Sequence, residues 1–356
     1  TVNKVYLPRM NVDFIPLLIS AISCLILIRL TIPFAINIGL VDKPGHRKIH
    51  DGNVPLVGGI SIFIAIVIGF LTTQMDLNLQ KNLLLAMLIV VGIGVLDDHQ
   101  DLSYKSRIIF HIIASLVIVT IDGVVLNSLG WIFGFMEFKL HAWSIFFTVF
   151  TVIGVMNAIN MSDGIDGLSG ALSFITLLFI SYFAYMGGHA DYFVLSLLFC
   201  SVLIPFLLFN LGVFGESRKI FMGDAGTTLL GLVIAVFLIA LSQGDSAVFP
   251  PVTALWLLSI PLIDTMTIIL RRIIKGKSPF KADREHLHHF FVRSGISDRK
   301  ALMIIVVLSF GMASLGTWMQ INNVAEWKMF VLFLLFFFLY LFLTMHAWKV
   351  MRFIKK

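Results

Sequence analysis

Apolar residues run through this chain in long blocks, and short polar stretches separate them. Blocks long enough for a hydrocarbon core of about 30 Å lie near 13–38, 56–73, 82–96, 106–122, 142–160, 169–186, 190–209, 226–242, 251–269, 301–320 and 328–350. The pattern predicts an all-α polytopic integral membrane protein with about eleven transmembrane helices. The first block is longer than the apolar core of a secretory signal, so it reads as a span. The Phe/Leu block FLLFFFLYLFL, within 328–350, reads as lipid-facing.

Composition agrees. Hydrophobic residues make up 58% of the 356, only 13% are charged, and the mean hydropathy is +0.97. Soluble domains usually carry about 25% charged residues, so this chain lacks the polar surface to live in water. Cys24 and Cys200 both fall in apolar runs, which argues against a disulfide framework or a cysteine metal site. A net charge of +6 could point to nucleic acid. Numbering the linkers alternately gives another reason for it. Twenty of the 26 Lys and Arg residues fall on one side, five on the other, and Arg29 lies inside the first span. This is the positive-inside asymmetry. It predicts a periplasmic N-terminus and a cytoplasmic C-terminus, and it removes the need for a nucleic-acid partner. Thirteen of the 20 acids share the cation-rich face. Acids contribute little to topology, so their clustering needs a chemical cause.

Four polar constellations lie on that face. GVLDDHQDLSYKSR (94–107) places Asp97 and Asp98 at the end of a span, with Asp101 after them; adjacent carboxylates repel unless a cation sits beside them. NAINMSDGIDGLSG (157–170) repeats Asn157, Asn160, Asp163 and Asp166 every third residue between two hydrocarbon flanks. Such a stripe drifts by about 60° per step on a straight helix, and Gly164, Gly167 and Gly170 offer the break that lets it converge. LGVFGESRKIFMGDAGTTLLG (211–231) brings Phe221 and Asp224 to a helix start whose small residues leave N–H groups open to an anion. RRIIKGKSPFKADREHLHHFFVRSGISDRK (271–300) carries nine cations with His286, His288 and His289. These histidines lack the i, i+4 spacing of a helical zinc pair and suit phosphate oxygens better. A fifth, weaker cluster is GLVDKPGHRKIHDGNVPLVGGIS (39–61), with Arg47, Lys48 and His50. His111 and Arg29 read as structural and snorkelling residues. Solvated loops, helix capping and topogenic charge are the plain alternatives for each stretch.

Carboxylates with a divalent cation and basic side chains are the parts of phosphoryl transfer. A site where cytoplasm meets bilayer can take one phosphate substrate from water and one from lipid. A secondary transporter with acids near the midplane is a rival, but the acids gather at one face and no internal repeat is visible. A scaffold that only binds lipid phosphate is another, but several acids repel phosphate unless a metal intervenes.

The order DDxxD, NxxNxxDGIDGL, FMGDAGT, HLHH resembles the polyprenyl-phosphate N-acetylhexosamine-1-phosphate transferase superfamily, from about Gly39 to Lys356. VDKPGHRKIH, PLVGGIS, SLGWIFG, FMGDAG, VTALW, KGKSPF and AWKVMRFIK resemble its bacterial branch that uses UDP-N-acetylglucosamine and undecaprenyl phosphate. The resemblance implies one transmembrane transferase domain over 1–356, with catalytic loops near 39–55, 97–107, 157–170, 210–226 and 270–300 on the cytoplasmic face of a bacterial inner membrane. It implies attack of the lipid phosphate on the β-phosphorus of the donor, with release of UMP, as the first membrane step of an O-antigen or enterobacterial common antigen type glycan. Another UDP-N-acetylhexosamine donor is the alternative. It implies Mg²⁺ or Mn²⁺ held by Asp224, Asn160 and Asp98. Asp97 and Asp98 are expected at the lipid phosphate, and Asp163 and Asp166 on the nucleotide side. Phe221 is expected on uracil, and His286, His288, His289 and Arg284 on the pyrophosphate. Asn157, Lys48 and His50 complete the expected substrate-binding set. Expected partners are the two substrates and the bilayer, with a homodimer as a candidate assembly.

Overall fold

The computed structural model describes residues 13–43, 52–73, 77–121, 123–276, 278 and 286–346, with backbone alone for 77–80. The elements are α1 (Ile15–Ile38), β1 (Val41–Asp42), β2 (Val54–Pro55), α2 (Gly58–Thr72), α3 (Leu77–Gln100), α4 (Tyr104–Ile121), α5 (Ser144–Met161), α6 (Leu168–Met186), α7 (Ala190–Asn210), α8 (Gly223–Ala240), α9 (Pro251–Leu257), α10 (Ser259–Ile274), α11 (Leu287–Arg293), α12 (Asp298–Ile321) and α13 (Glu326–Met345). Among the described residues each of the eleven apolar blocks falls on helix, and the chain is an all-α polytopic membrane protein. Among the described residues, nine helices are long and apolar enough to cross a membrane alone.

The other two blocks differ from simple spans. α2 has 15 residues, about 22 Å at 1.5 Å per residue, shorter than the hydrocarbon core. The block expected as one span over 251–269 is α9 and α10, bent by 88°. The cause is local. Pro261 has no N–H to donate to the carbonyl of Leu257, and Leu258 leaves helical geometry at φ −112°, ψ 22°. The freed Leu257 carbonyl accepts the hydroxyl of Thr176 on α6 at 3.1 Å, so the break does not leave that carbonyl orphaned inside the bundle.

α8 is the axis of the bundle. In its most apolar window 83% of residues are buried, against 22% in α1 and α13. α2, α3, α5 and α6 pack around it. α3 crosses it closely at Gly94, where a Cβ would overlap the backbone of Ala225. The outer helices turn Leu, Ile and Phe side chains outward, as a lipid-facing surface requires.

The reading of the FLLFFFLYLFL block as lipid-facing holds for Leu335, Phe338, Leu339, Phe342 and Leu343, which are exposed, but not for its other face. Phe333 is buried and packs edge-to-face on Trp256 at 5.8 Å, Phe336 does the same at 5.9 Å, and Tyr340 bonds Asp264. At the far end of α8, Gln243 accepts the N–H groups of Asn127 and Ser128 at 2.9 and 3.0 Å. They begin a hairpin-like loop closed by the Ser128–Lys139 bridge. The described residues of the polar constellations lie at the opposite end, toward the N-terminus of α8.

Candidate active site

Asp97 and Asp98 are adjacent in the last turn of α3, and the helix points them about 100° apart. They take different partners, which relieves their repulsion. Asp97 is buried. It accepts the Leu102 N–H at 2.7 Å and the Arg107 Nη1–H at 2.9 Å. Asp98 accepts the N–H groups of Asp224 and Ala225 at 2.8 and 3.3 Å. The helix-start N–H groups expected to face an anionic ligand are therefore capped by a carboxylate from α3. Asp224 accepts Asn160 Nδ2–H at 2.7 Å on one oxygen and Arg107 Nη1–H at 3.1 Å on the other. Asn160 also donates to Thr227 Oγ1 at 2.8 Å. Arg107, on the first turn of α4, thus lies between two carboxylates from α3 and α8.

The break expected in 157–170 is present. α5 ends at Met161, and Gly167, with φ 79°, precedes the first residue of α6. Its N–H donates to Asn210 Oδ1 at 2.5 Å. The four stripe residues then part company. Asn160 meets Asp224. Asp163 accepts the Ser169 hydroxyl at 2.6 Å. Asp166 pairs with Lys219 at 2.5 Å. Asn157 is not drawn in: its amide donates back to Ile153 on its own helix at 2.8 Å. Surrounding protein and the nearby carboxylates of Asp224 and Asp166 push the Asp163 carboxyl up to about 6, against the Ser169 hydrogen bond, although the residue as a whole is exposed.

Phe221 is clipped to the segment before α2. Its N–H donates to Pro55 at 2.9 Å, its carbonyl accepts Gly58 N–H at 3.0 Å, and the next carbonyl accepts Gly59 N–H at 3.0 Å. The Lys219 ammonium stands 5.7 Å from the centre of the Phe221 ring. Lys219 therefore touches both the aromatic ring and Asp166.

The histidines of HLHH fold together. His286 and His288 stack with centroids 5.6 Å apart and planes 8° apart, and His288 lies 4.2 Å from His289. His288 is 2% exposed and abuts Gly164, where a Cβ would overlap its ring. Only glycine leaves that room, so the 157–170 turn and the histidine segment share one wall. Burial, then the neighbouring His289 and His286, hold the His288 ring down to about 3. His286 is anchored from below: Asp264 on α10 lies 3.0 Å from its Nδ1. Lys48, His50 and Arg284 lie outside the described residues.

Among the residues here that were not singled out from the sequence are Arg107, Asp264 and Tyr340. Arg107 counted only toward topology. Asp264 counted as an acid near a span end, and Tyr340 was lost in a Phe/Leu block. The one local signal was polarity inside an apolar run.

Among the described residues no three His, Cys, Asp or Glu side chains form a ready metal-binding group. Of the three expected ligands, Asp98 is taken up by the N–H groups of Asp224 and Ala225, and Asn160 turns its Nδ2–H toward Asp224 and Thr227; the carboxylate oxygens of Asp224 and of Asp97 nevertheless fit the chemistry of a hard cation, since both already converge on one positive charge, that of Arg107. Mg²⁺ is commonly held by one or two carboxylates completed by substrate phosphates. The set fits such an open site.

Residues 81–242 match the family described as "Glycosyl transferase family 4". That span contains Asp97, Asp98, Arg107, Asn160, Asp163, Asp166 and Asp224. Three proteins named undecaprenyl-phosphate alpha-N-acetylglucosaminyl 1-phosphate transferase are similar along almost the whole chain. The one from Haemophilus influenzae is 40% identical over 325 residues, 91% of this chain and 92% of its own. The one from Salmonella typhi is 40% identical over 323 residues, 90% and 88%. The one from Escherichia coli K12 is 40% identical over 321 residues, again 90% and 88%. On these matches the chain belongs to glycosyl transferase family 4.

Proposed function

We propose that this chain transfers N-acetylglucosamine 1-phosphate from UDP-N-acetylglucosamine to undecaprenyl phosphate, giving undecaprenyl-pyrophosphate-N-acetylglucosamine and UMP. The supporting observation is the junction of Asp97, Asp224, Asn160 and Arg107 at one end of a membrane bundle. The relatives at 40% identity supply the substrates' names. The excess of cations at that end supports a cytoplasmic site in a bacterial inner membrane, with one transferase domain carrying every loop.

An oxygen of the lipid phosphate attacks the β-phosphorus of the donor. The new O–P bond forms as the bond from the β-phosphorus to the bridging oxygen breaks, and UMP leaves with that oxygen. The sugar C1–O bond is untouched, so the α configuration persists. A phosphomonoester with a second pKa near 6 is mostly ionised at pH 7, so a strong base is not required. Asp97, tied to Arg107 and the Leu102 N–H, positions positive charge for the acceptor phosphate. Asp224 and Asn160 are the proposed Mg²⁺ ligands, with Asp98 holding the start of α8 in register beside them. When bound, the ion neutralises charge on the transferring phosphoryl group. Phe221 offers a ring face to uracil. Asp163 and Asp166, the latter steadied by Lys219, line the nucleotide side. His286 and His289, with Arg284, Lys48 and His50, are assigned to the phosphates, while His288, buried against Gly164, packs between them and the 157–170 turn.

The test is incubation of purified protein with sugar-labelled UDP-N-acetylglucosamine, undecaprenyl phosphate and Mg²⁺. Labelled lipid and UMP should appear, and EDTA or Asp224→Asn should abolish both. Equal product with EDTA would end the metal-dependent reading, and no product with Mg²⁺ would end the transferase reading.

A further inference from the structure

Asp264 is a carboxylate buried in α10, and nothing in the transfer chemistry above uses it. An ionisable side chain inside an apolar helix is retained for a task by default. Its partners come from two other parts of the chain, the start of the histidine helix and α13. Oδ1 accepts the Tyr340 O–H from α13 at 2.5 Å and the Leu287 N–H at 3.1 Å. Oδ2 lies 3.0 Å from His286 Nδ1. Asp264 and His286 are 6% and 7% exposed, so water does not compete for these contacts.

The donors fix the proton. A backbone N–H can only donate, and an imidazole is a stronger base than a carboxylate. Asp264 is therefore the acceptor throughout, and His286 carries its proton on Nδ1. Across the ring, Nε2 makes no hydrogen bond among the described residues. The ring itself cannot swing: it stacks on His288, which abuts Gly164 in the turn that carries Asp163 and Asp166.

We infer that Asp264 and Tyr340 are positioning residues for His286: they seat its Nδ1–H on a buried carboxylate and leave Nε2 as the nitrogen offered to a phosphate oxygen of the nucleotide-sugar donor. This rests on the donor reading above. Nε2 binds a proton from solvent as the phosphate arrives and donates it as a hydrogen bond. Asp264 balances the imidazolium, and no covalent bond between heavy atoms changes. Tyr340 ties the pair to the last described helix, so α13 sets the height of the histidine segment.

Ring ¹⁵N shifts of histidine-labelled protein, with His286 identified by its loss in His286→Gln, read this without substrate. Wild type should show the proton on Nδ1. In Asp264→Asn the amide donates to Nδ1, so the proton should move to Nε2, and kcat/KM should fall by roughly 10²-fold or more. The charged or titratable groups around that pair are His288 and His289 on α11, Arg271 on α10 and Tyr340 on α13. Tyr340→Phe should keep the Nδ1 proton and cost roughly 10-fold in kcat/KM. It also serves if Asp264→Asn fails to fold. A wild-type proton on Nε2, an unmoved proton in Asp264→Asn, or wild-type kcat/KM in Tyr340→Phe would overturn the assignment. A protein with the Nδ1 proton and no turnover of UDP-N-acetylglucosamine would instead overturn the donor reading.

Discussion

His288 makes the stability of the fold depend on pH in a calculable way. The ring is almost fully buried, its Nε2 has no hydrogen-bond partner among the described residues, and its basicity is held down to about 3 by burial first and its two histidine neighbours next. In the unfolded chain an imidazole titrates near 6.5. Between about 3 and 6.5 the unfolded state therefore binds a proton that the native state refuses, and stability falls as pH falls through that window. One unit into it, at pH 5.5, the loss is about 1.4 kcal/mol, and two units in, about 2.7 kcal/mol. These figures are insensitive to the native value so long as it stays well below the test pH. His288→Phe keeps an aromatic ring against Gly164 and cannot titrate. Unfolding of both proteins by dodecyl sulfate in mixed micelles, at pH 7.5 and 5.5, gives the difference, because the remaining histidines are common to both. Wild type should lose about 1.4 kcal/mol more than the variant over that interval. Equal losses would mean that His288 is charged or solvated in the folded protein, and the shared wall with Gly164 would be wrong.

Other perturbations reach the same site from different sides. Gly164→Ala places a methyl inside the His288 ring and should cost about 1–3 kcal/mol; adding His288→Ala should recover more than 0.5 kcal/mol in a double-mutant cycle, and simple additivity would separate the two residues. Arg107→Gln leaves Asp97 and Asp224 facing each other without a cation, and turnover at saturating substrates should drop by at least 10²-fold, with Arg107→Lys only partly restoring it because a point charge does not reproduce the guanidinium fork; full activity in Arg107→Gln would remove it from the site. Asp98→Ala uncaps α8 and should lower stability by about 1–2 kcal/mol in the same dodecyl sulfate assay, whereas an unchanged midpoint would show that the cap is not needed.

Local pattern carried the fold a long way. Every apolar block became helix because hydrocarbon length and composition alone decide that in a bilayer. What local pattern could not carry was set by distant partners. The 88° break at Leu258 is stabilised by Thr176, which comes from another helix. Gln243 organises a loop that lies 115 residues upstream. The site shows the same division. Asp97, Asp98, Asn160 and Asp224 stood out because polar residues at fixed spacing interrupt hydrocarbon, and the structure joins all four. Arg107 and Tyr340 did not stand out, because Asp224 and Asp264, which they reach, are 117 and 76 residues away, and an arginine in a cationic loop or a tyrosine among phenylalanines has no local mark. Asn157 shows the converse: it fits the three-residue stripe but falls on an exposed side of α5, one turn before its end.

The central claim is that a phosphoryl bond, and not the sugar's C1–O bond, is exchanged at the acid cluster. Donor carrying ³²P in its β-phosphate and ¹⁸O at the C1–O bridge, incubated with undecaprenyl phosphate and the purified protein, reads this directly. The lipid product should carry both labels and the UMP neither. Recovery of ³²P in a soluble uridine diphosphate, with an unlabelled sugar on the lipid, would contradict it.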